Sequence, residues 1–226
     1  MIVVHHLENS RSQRVLWLLE ELGVDYEIRH YSRDPKTSLA PPELKAVHPL
    51  GKSPLVSEGD TVVAESGAIV EYLLDRFDDQ GLRPEPDSEA FLQYRYWLHY
   101  AEGTLAPLLV MSLIFSRVET APMPFFIKPI AKGISGKVKS AYLGPNLAAN
   151  FDFIEQHLAR YRWFAGATFS AADVMMSFGL EAASARAGRM ADYPRMREVL
   201  EAMHARPAYQ RALERGGPYN LMQGLG

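Results

Sequence analysis

The 226-residue sequence contains no cysteine. That excludes disulfides, thiolate metal sites and any mechanism whose nucleophile is a protein thiol. Long apolar runs are missing as well: the longest uncharged stretch, Gly103 to Ser116, is too short to span a bilayer and carries Pro107. The opening Met1-Ile2-Val3-Val4-His5-His6 has no basic n-region and too short an apolar stretch for a signal peptide, so a cytoplasmic protein with no membrane partner is expected. Nor does one sign of charge dominate. With 24 basic and 27 acidic residues the formal net charge is −3, and basic residues do not interleave with aromatics, so no nucleic-acid partner is expected. The seven histidines show no metal-ligand spacing, so no metal is expected. A Gly-rich phosphate loop is absent. What is present, 47% hydrophobic and 23% charged residues, suffices for one large globular domain or two modest ones.

The first eighty residues alternate in period. Met1 to Leu7 reads as a mostly apolar strand, central in a sheet. Polar Glu8 to Ser12 turns the chain, after which Val15, Leu18, Leu19 and Leu22 fall at helical spacing and Gly23 stops the helix. Tyr26 to Tyr31 alternates as a half-buried strand. Prolines at 35, 41, 42 and 49 leave room for one short helix near Glu43 to Ala46. A hairpin follows, Pro54 to Ser57 and Thr61 to Ala64 about the turn Glu58-Gly59-Asp60, then a helix with Ile69, Tyr72, Leu73 and Phe77 on one face.

Beyond an acid- and proline-rich stretch ending at Asp87, read as an exposed linker, no strand pattern appears. Ser88 to about Arg117 is a long helical stretch that Pro107 should kink. Thr120 to Gly144 holds three prolines, two internal glycines and Lys128, Lys132, Lys137 and Lys139 without an acid, and reads as a solvated loop. A helix opens at Pro145. Ser170 to Asp173 has the form of a capping box, with Phe169 and Val174 as the staple, and Met196 to Met203 marks a further amphipathic helix. The tail from Gly216 to Gly226 reads as partly loose. The fold class is therefore an α/β domain of order β-α-β-α-β-β-α over residues 1–78, a linker over 79–87, and an all-helical domain over 88–226.

Four motifs sit on this framework in order: Ser10-Arg11-Ser12-Gln13-Arg14 after the first strand, His48 to Leu55 before the third, Glu65-Ser66 opening a helix, and the Ser170 to Asp173 box. Together they resemble the soluble glutathione S-transferases over nearly the whole chain. His6 to Leu22 and Ala40-Pro41-Pro42-Glu43-Leu44 look most like the bacterial and fungal Gtt-type branch. The resemblance implies a thioredoxin-like domain joined to a helical bundle, glutathione as co-substrate, small hydrophobic electrophiles as second substrates, a homodimer, and a detoxifying transferase.

It also implies roles. Ser10 matches the serine that donates to the glutathione sulfur. A free thiol has a pKa of about 8.5, and one hydrogen bond to a charged group is worth roughly 1.5–3 kcal/mol, about one to two pKa units. On spacing alone Ser10 and Ser12 are both helix caps; the resemblance moves Ser10 to the sulfur and leaves Ser12 as the cap. Asn9 and Arg11 are candidate neighbours of the sulfur, and Arg14 is read as structural, paired to an acid. Pro54 matches the family's cis-proline, beside which the Ser53 backbone would pair with the cysteinyl part of the peptide. Lys52 is the candidate for its glycyl carboxylate. Glu65 and Ser66 match the pair that holds the γ-glutamyl end. Tyr96, Tyr100, Met111 and Phe115 are candidates for the electrophile site, although core packing is the plainer account of each.

The missing cysteine removes the thiol-dependent reductases of the family, and Asn9-Ser10-Arg11 stands where its isomerases carry a serine-serine-cysteine run. Thioether formation remains, or peroxide reduction with glutathione supplying the sulfur. The alternative is a non-catalytic member of the same fold that binds glutathione or apolar ligands, or serves as a scaffold.

Overall fold

The computed structural model describes residues 1–187, 190–219 and 221. Strand β1 (Ile2–Leu7) runs into helix α1 (Ser12–Leu22), β2 (Tyr26–Tyr31), the short α2 (Leu44–Val47), β3 (Leu55–Glu58), β4 (Thr61–Ala64) and α3 (Ser66–Phe77). The sheet has the order β2-β1-β3-β4. β1 lies parallel to β2, Val4 opposite Ile28, and antiparallel to β3, Val4 opposite Val56. β1 is thus a central strand, which is why Ile2 and Val4 on one face and Val3 and Leu7 on the other are apolar. Gly23 ends α1 at φ 67°, a left-handed conformation that costs glycine nothing.

The rest is helical: α4 (Glu89–Tyr100), α5 (Ala106–Thr120), α6 (Lys128–Val138), α7 (Gly144–Leu158), α8 (Ala171–Ala187), α9 (Pro194–His204) and α10 (Pro207–Gly216). Two π-turns, Ala101–Leu105 and Lys139–Leu143, fall just ahead of Pro107 and Pro145. A proline cannot donate to the carbonyl one turn back, so the backbone widens there. By length and composition the 32-residue run Glu89–Thr120 would cross a bilayer; here α4 and α5 pack on α8.

Two expectations are corrected. The stretch after Thr120 is not a loop throughout, because α6 occupies Lys128–Val138 with Pro129 in its first turn. There proline is preorganised for a helix and loses no needed hydrogen bond. The linker is not simply exposed: Asp78 Oδ1 and Oδ2 accept from the Leu82 and Arg83 N–H groups at 2.9 and 2.8 Å. Leu82 is itself buried, and its carbonyl accepts from Ala171 N–H. Of the tail, residues 220 and 222–226 lie outside the described residues, whereas Leu221 is buried.

The capping box forms. Ser170 N–H donates to Asp173 Oδ2 at 2.8 Å and Ala172 N–H to Ser170 Oγ at 3.3 Å, and Asp173 Oδ1 also accepts from Phe164 N–H at 2.9 Å. One hydrophobic core runs through the sheet and the helices. At its centre Trp17 of α1 meets Phe169 and Tyr209. Arg206 forks onto Glu21 at 2.6 and 2.8 Å, and Arg211 pairs with Glu20, so α1 is clamped by the C-terminal helices.

Candidate active site

The chain leaves β1 through a tight turn with Asn9 at φ 49°, and Ser10 comes to rest at the head of α1. Ser10 is buried. Its Oγ lies 2.8 Å from Ser12 Oγ and 3.4 Å from Ser53 Oγ, and accepts from Ser12 N–H at 3.2 Å. Ser10 is therefore the hydroxyl that takes the first N–H of α1, one residue ahead of the N-cap position at Arg11. The expectation that Ser12 is the cap is overturned. Ser12 Oγ instead accepts from Leu7 N–H at 3.2 Å and lies 2.9 Å from His6 Nδ1, because its side chain points back under the strand end. Burial above all, with the charge of His30, lowers the pKa of His6 to about 4, so this imidazole is neutral at pH 7 and its ring packs edge-on against His30.

Ser53 and Pro54 enter β3 from the other side. The bond between them is cis, and Ser53 Oγ donates to the His5 carbonyl at 3.2 Å. Pro54 is buried, Ser53 half-buried and Lys52 exposed. Glu65, exposed, stands immediately before α3 at φ 73°, ψ 128°. Such a backbone for a non-glycine residue is held only where the surroundings demand it. Ser66 begins α3, buried, so its hydroxyl and the first N–H groups of the helix form one anion-favouring end.

Arg14 organises this end. Buried on α1, it donates to Ser66 Oγ at 2.9 Å, to the Met175 carbonyl at 2.7 Å and to Glu102 in the π-turn after α4. The acid pairing expected for it exists, but the acid itself could not be found from the sequence. Glu102 also forms an ion pair with Arg11 at 3.1 Å. Burial raises the pKa of Glu102, yet Arg14 and Arg11 overcome this and hold it below the usual carboxylate range.

A cavity of about 220 Å³ opens beside Asn9 and Arg11, between α1, α5 and α8. Leu109, Val110 and Leu113 of α5 and Phe178 of α8 give it an apolar side. None of the four expected electrophile-site residues lines it, and the physical reason is rotation about the helix axis. α5 presents Leu109, Leu113 and Arg117 to the cavity at helical spacing, which turns the half-buried Met111 and Phe115 aside. Tyr96 and Tyr100 pack on Trp97 and Phe153, and Tyr100 donates to Asn150. Among the described residues no group of three or more His, Asp or Glu is placed to hold a metal.

A family model described as the glutathione S-transferase N-terminal domain matches residues 1–75, and one described as the C-terminal domain matches residues 144–202. The sequence is 36% identical to glutathione S-transferase 1 of Saccharomyces cerevisiae over 95% of both chains. It is also 36% identical to glutathione S-transferase 3 of Schizosaccharomyces pombe, over 95% of this chain and 88% of that one. A solved glutathione S-transferase from Actinobacillus pleuropneumoniae is 34% identical and superposes with a TM-score of 0.81, covering 99% of this chain and 96% of that one.

Proposed function

This chain belongs to the glutathione S-transferase family, on its fungal Gtt-like side, and we propose that it joins the glutathione thiolate to small apolar electrophiles. The observation that carries the reading is the meeting of Ser10 Oγ and Ser53 Oγ, 43 positions apart in sequence, at 3.4 Å by the head of α1. A peptide thiol laid along Ser53 would come within reach of the Ser10 hydroxyl.

Ser10 acts as a donor and cannot act as a base, since an aliphatic hydroxyl does not ionise near neutrality. Its hydrogen bond, with the N-terminal field of α1, favours the sulfur anion. The thiol proton leaves to solvent. Sulfur then attacks the electrophilic carbon, a sulfur–carbon bond forms, and a leaving group such as halide departs with its electron pair. The same thiolate would attack a hydroperoxide oxygen, breaking the O–O bond to release an alcohol and leave a sulfenic acid, which the thiol of a second glutathione would convert to the disulfide with loss of water.

The peptide is held along its length. Ser66 and the α3 N-terminus take the γ-glutamyl carboxylate, Glu65 its amine, the Ser53 backbone the cysteinyl unit, and Lys52 the glycyl carboxylate. Arg14 supports Ser66 by donating to its oxygen, which leaves the Ser66 hydrogen for the ligand. A homodimer is proposed through the outer face of α4, where Leu92 and Tyr96 are 67% and 45% exposed. Thioether formation from glutathione and an aryl halide tests the reading. Tight glutathione binding without turnover on any of several electrophiles would replace it with a binding role.

A further inference from the structure

The cavity beside Asn9 is not merely apolar. Among Leu109, Leu113 and Phe178 stand four guanidinium groups, Arg11, Arg14, Arg33 and Arg117, and one carboxylate, Glu102; Arg117 shares the α5 face with Leu109 and Leu113, and Arg11 and Arg14 lie over the Phe178 ring. Glu102 is already shared by Arg11 and Arg14. Arg33 directs its side-chain donors to three backbone carbonyls, Glu8 at 3.2 Å, Ser38 at 3.0 Å and Asn9 at 3.3 Å. Carbonyls satisfy the N–H groups without cancelling the charge. Arg117 is exposed at the rim and makes no ion pair or side-chain hydrogen bond among the described residues. Burial lowers the pKa of Arg33 most; the Glu8 carboxylate, which accepts from the Arg33 backbone N–H at 2.7 Å, raises it, and Arg117 and Arg11 lower it, so the arginines repel one another. A protein of net charge −3 has gathered four arginines around an apolar hollow, where Glu102 answers Arg11 and Arg14 and Glu8 answers Arg33, which leaves the positive sign in excess.

From this we propose that the second substrate is amphipathic and anionic: a single-ring electrophile bearing a carboxylate or a similar acidic group. Its ring would lie on Leu109, Leu113 and Phe178, its anion toward Arg33 and Arg117, and its reactive carbon toward Ser10. The volume of about 220 Å³ suits one substituted ring, since a cavity of about 150 Å³ accepts benzene. Arginine provides planar, paired donors that match a carboxylate. The inference rests on the transferase reading above and names the substrate class of that same site.

The test compares two acceptors with one leaving group, neutral 1-chloro-2,4-dinitrobenzene and anionic 4-chloro-3,5-dinitrobenzoate, each rate divided by its uncatalysed rate with glutathione. The normalised kcat/KM should favour the benzoate by about tenfold at low salt, the size of one charge-assisted contact, and the preference should shrink as salt is raised. Arg117→Glu should lower the benzoate-to-neutral ratio about tenfold. Equal normalised rates in the wild type, or a ratio untouched by Arg117→Glu, would overturn the proposal while leaving the transferase reading intact. Calorimetry with unreactive 3,5-dinitrobenzoate covers the opposite case. Binding that Arg117→Glu weakens supports the anion site even if neither acceptor turns over, and no binding to the wild type overturns it.

Discussion

Ser10 Oγ lies 2.8 Å from Ser12 Oγ, and the two hydroxyls divide the work at the head of α1. Ser12 ties the helix to the strand end through Leu7 N–H and His6. Ser10 accepts the Ser12 N–H and has a single hydrogen to give. A thiolate in the cleft is a charged acceptor and outcompetes a neutral hydroxyl for that hydrogen.

Ser10→Ala should therefore lower kcat/KM for conjugation by about 10- to 100-fold, the equivalent of one hydrogen bond to a charged atom. Titrating the ultraviolet absorbance of the bound thiolate should show its pKa rising by about one to two units. An unchanged rate would move the role to Asn9 or Arg11.

Ser66→Ala removes a hydroxyl that sits on the buried Arg14. The expected result is a KM for glutathione raised about tenfold with kcat changed less, because the loss is one of peptide binding. Steady-state kinetics over glutathione concentration separates the two. A fall in kcat alone would place Ser66 outside the peptide site.

In the capping box the two partners should differ. Ser170→Ala should cost about 1 kcal/mol, an ordinary cap. Asp173 is fully buried and accepts from Phe164 N–H, Ser170 N–H and the Ser170 hydroxyl. Asp173→Ala strands those donors and should cost roughly 2–4 kcal/mol. Urea unfolding checks both, and equal losses would mean that the buried donors find other partners.

His6 makes stability depend on pH. Its folded pKa of about 4 lies below the free value of 6.5, so the unfolded chain binds the proton more readily. The contribution is present above pH 6.5 and is lost as pH falls toward 4. Full loss amounts to about 3 kcal/mol. His6→Asn, which cannot titrate, should lose less stability than the wild type across that window. Asp173, whose burial raises its carboxyl to about 7, is common to both proteins and cancels in the comparison. Parallel curves would show that His6 ionises freely in the fold.

Tyr96→Glu places a charge on the exposed face of α4. Sedimentation should show a dimer for the wild type and a monomer for the variant at micromolar concentration. A wild-type monomer would remove the proposed pairing.

Much of the N-terminal half was legible because its signals are local: the apolar spacing of Val15 to Leu22, the glycine stop at Gly23, the turn at Glu58 to Asp60. Helix α6 was hidden because Gly133 and Gly136 weaken the helical signal and Pro129 reads as a breaker when it in fact opens the first turn. Ser12 reads as the cap because spacing does not say which hydroxyl turns under the strand. Tyr96, Tyr100, Met111 and Phe115 were chosen for apolar character, which sequence reports; the cavity is decided by helix rotation, which it does not. Glu102, Arg33 and Arg117 come from three remote segments, and nothing in their neighbourhoods distinguishes them from solvated charges.

Arg14 is a cation walled in by both halves of the molecule, its two terminal nitrogens donating to Ser66 of α3, the Met175 carbonyl of α8 and Glu102 after α4. The helix that receives the peptide thus takes its orientation from parts of the chain synthesised long after it. Severed near Asp78, the leading fragment would hold a bare guanidinium in a gap where α8 belongs, so recognition of the tripeptide is a property of the joined protein and of neither piece.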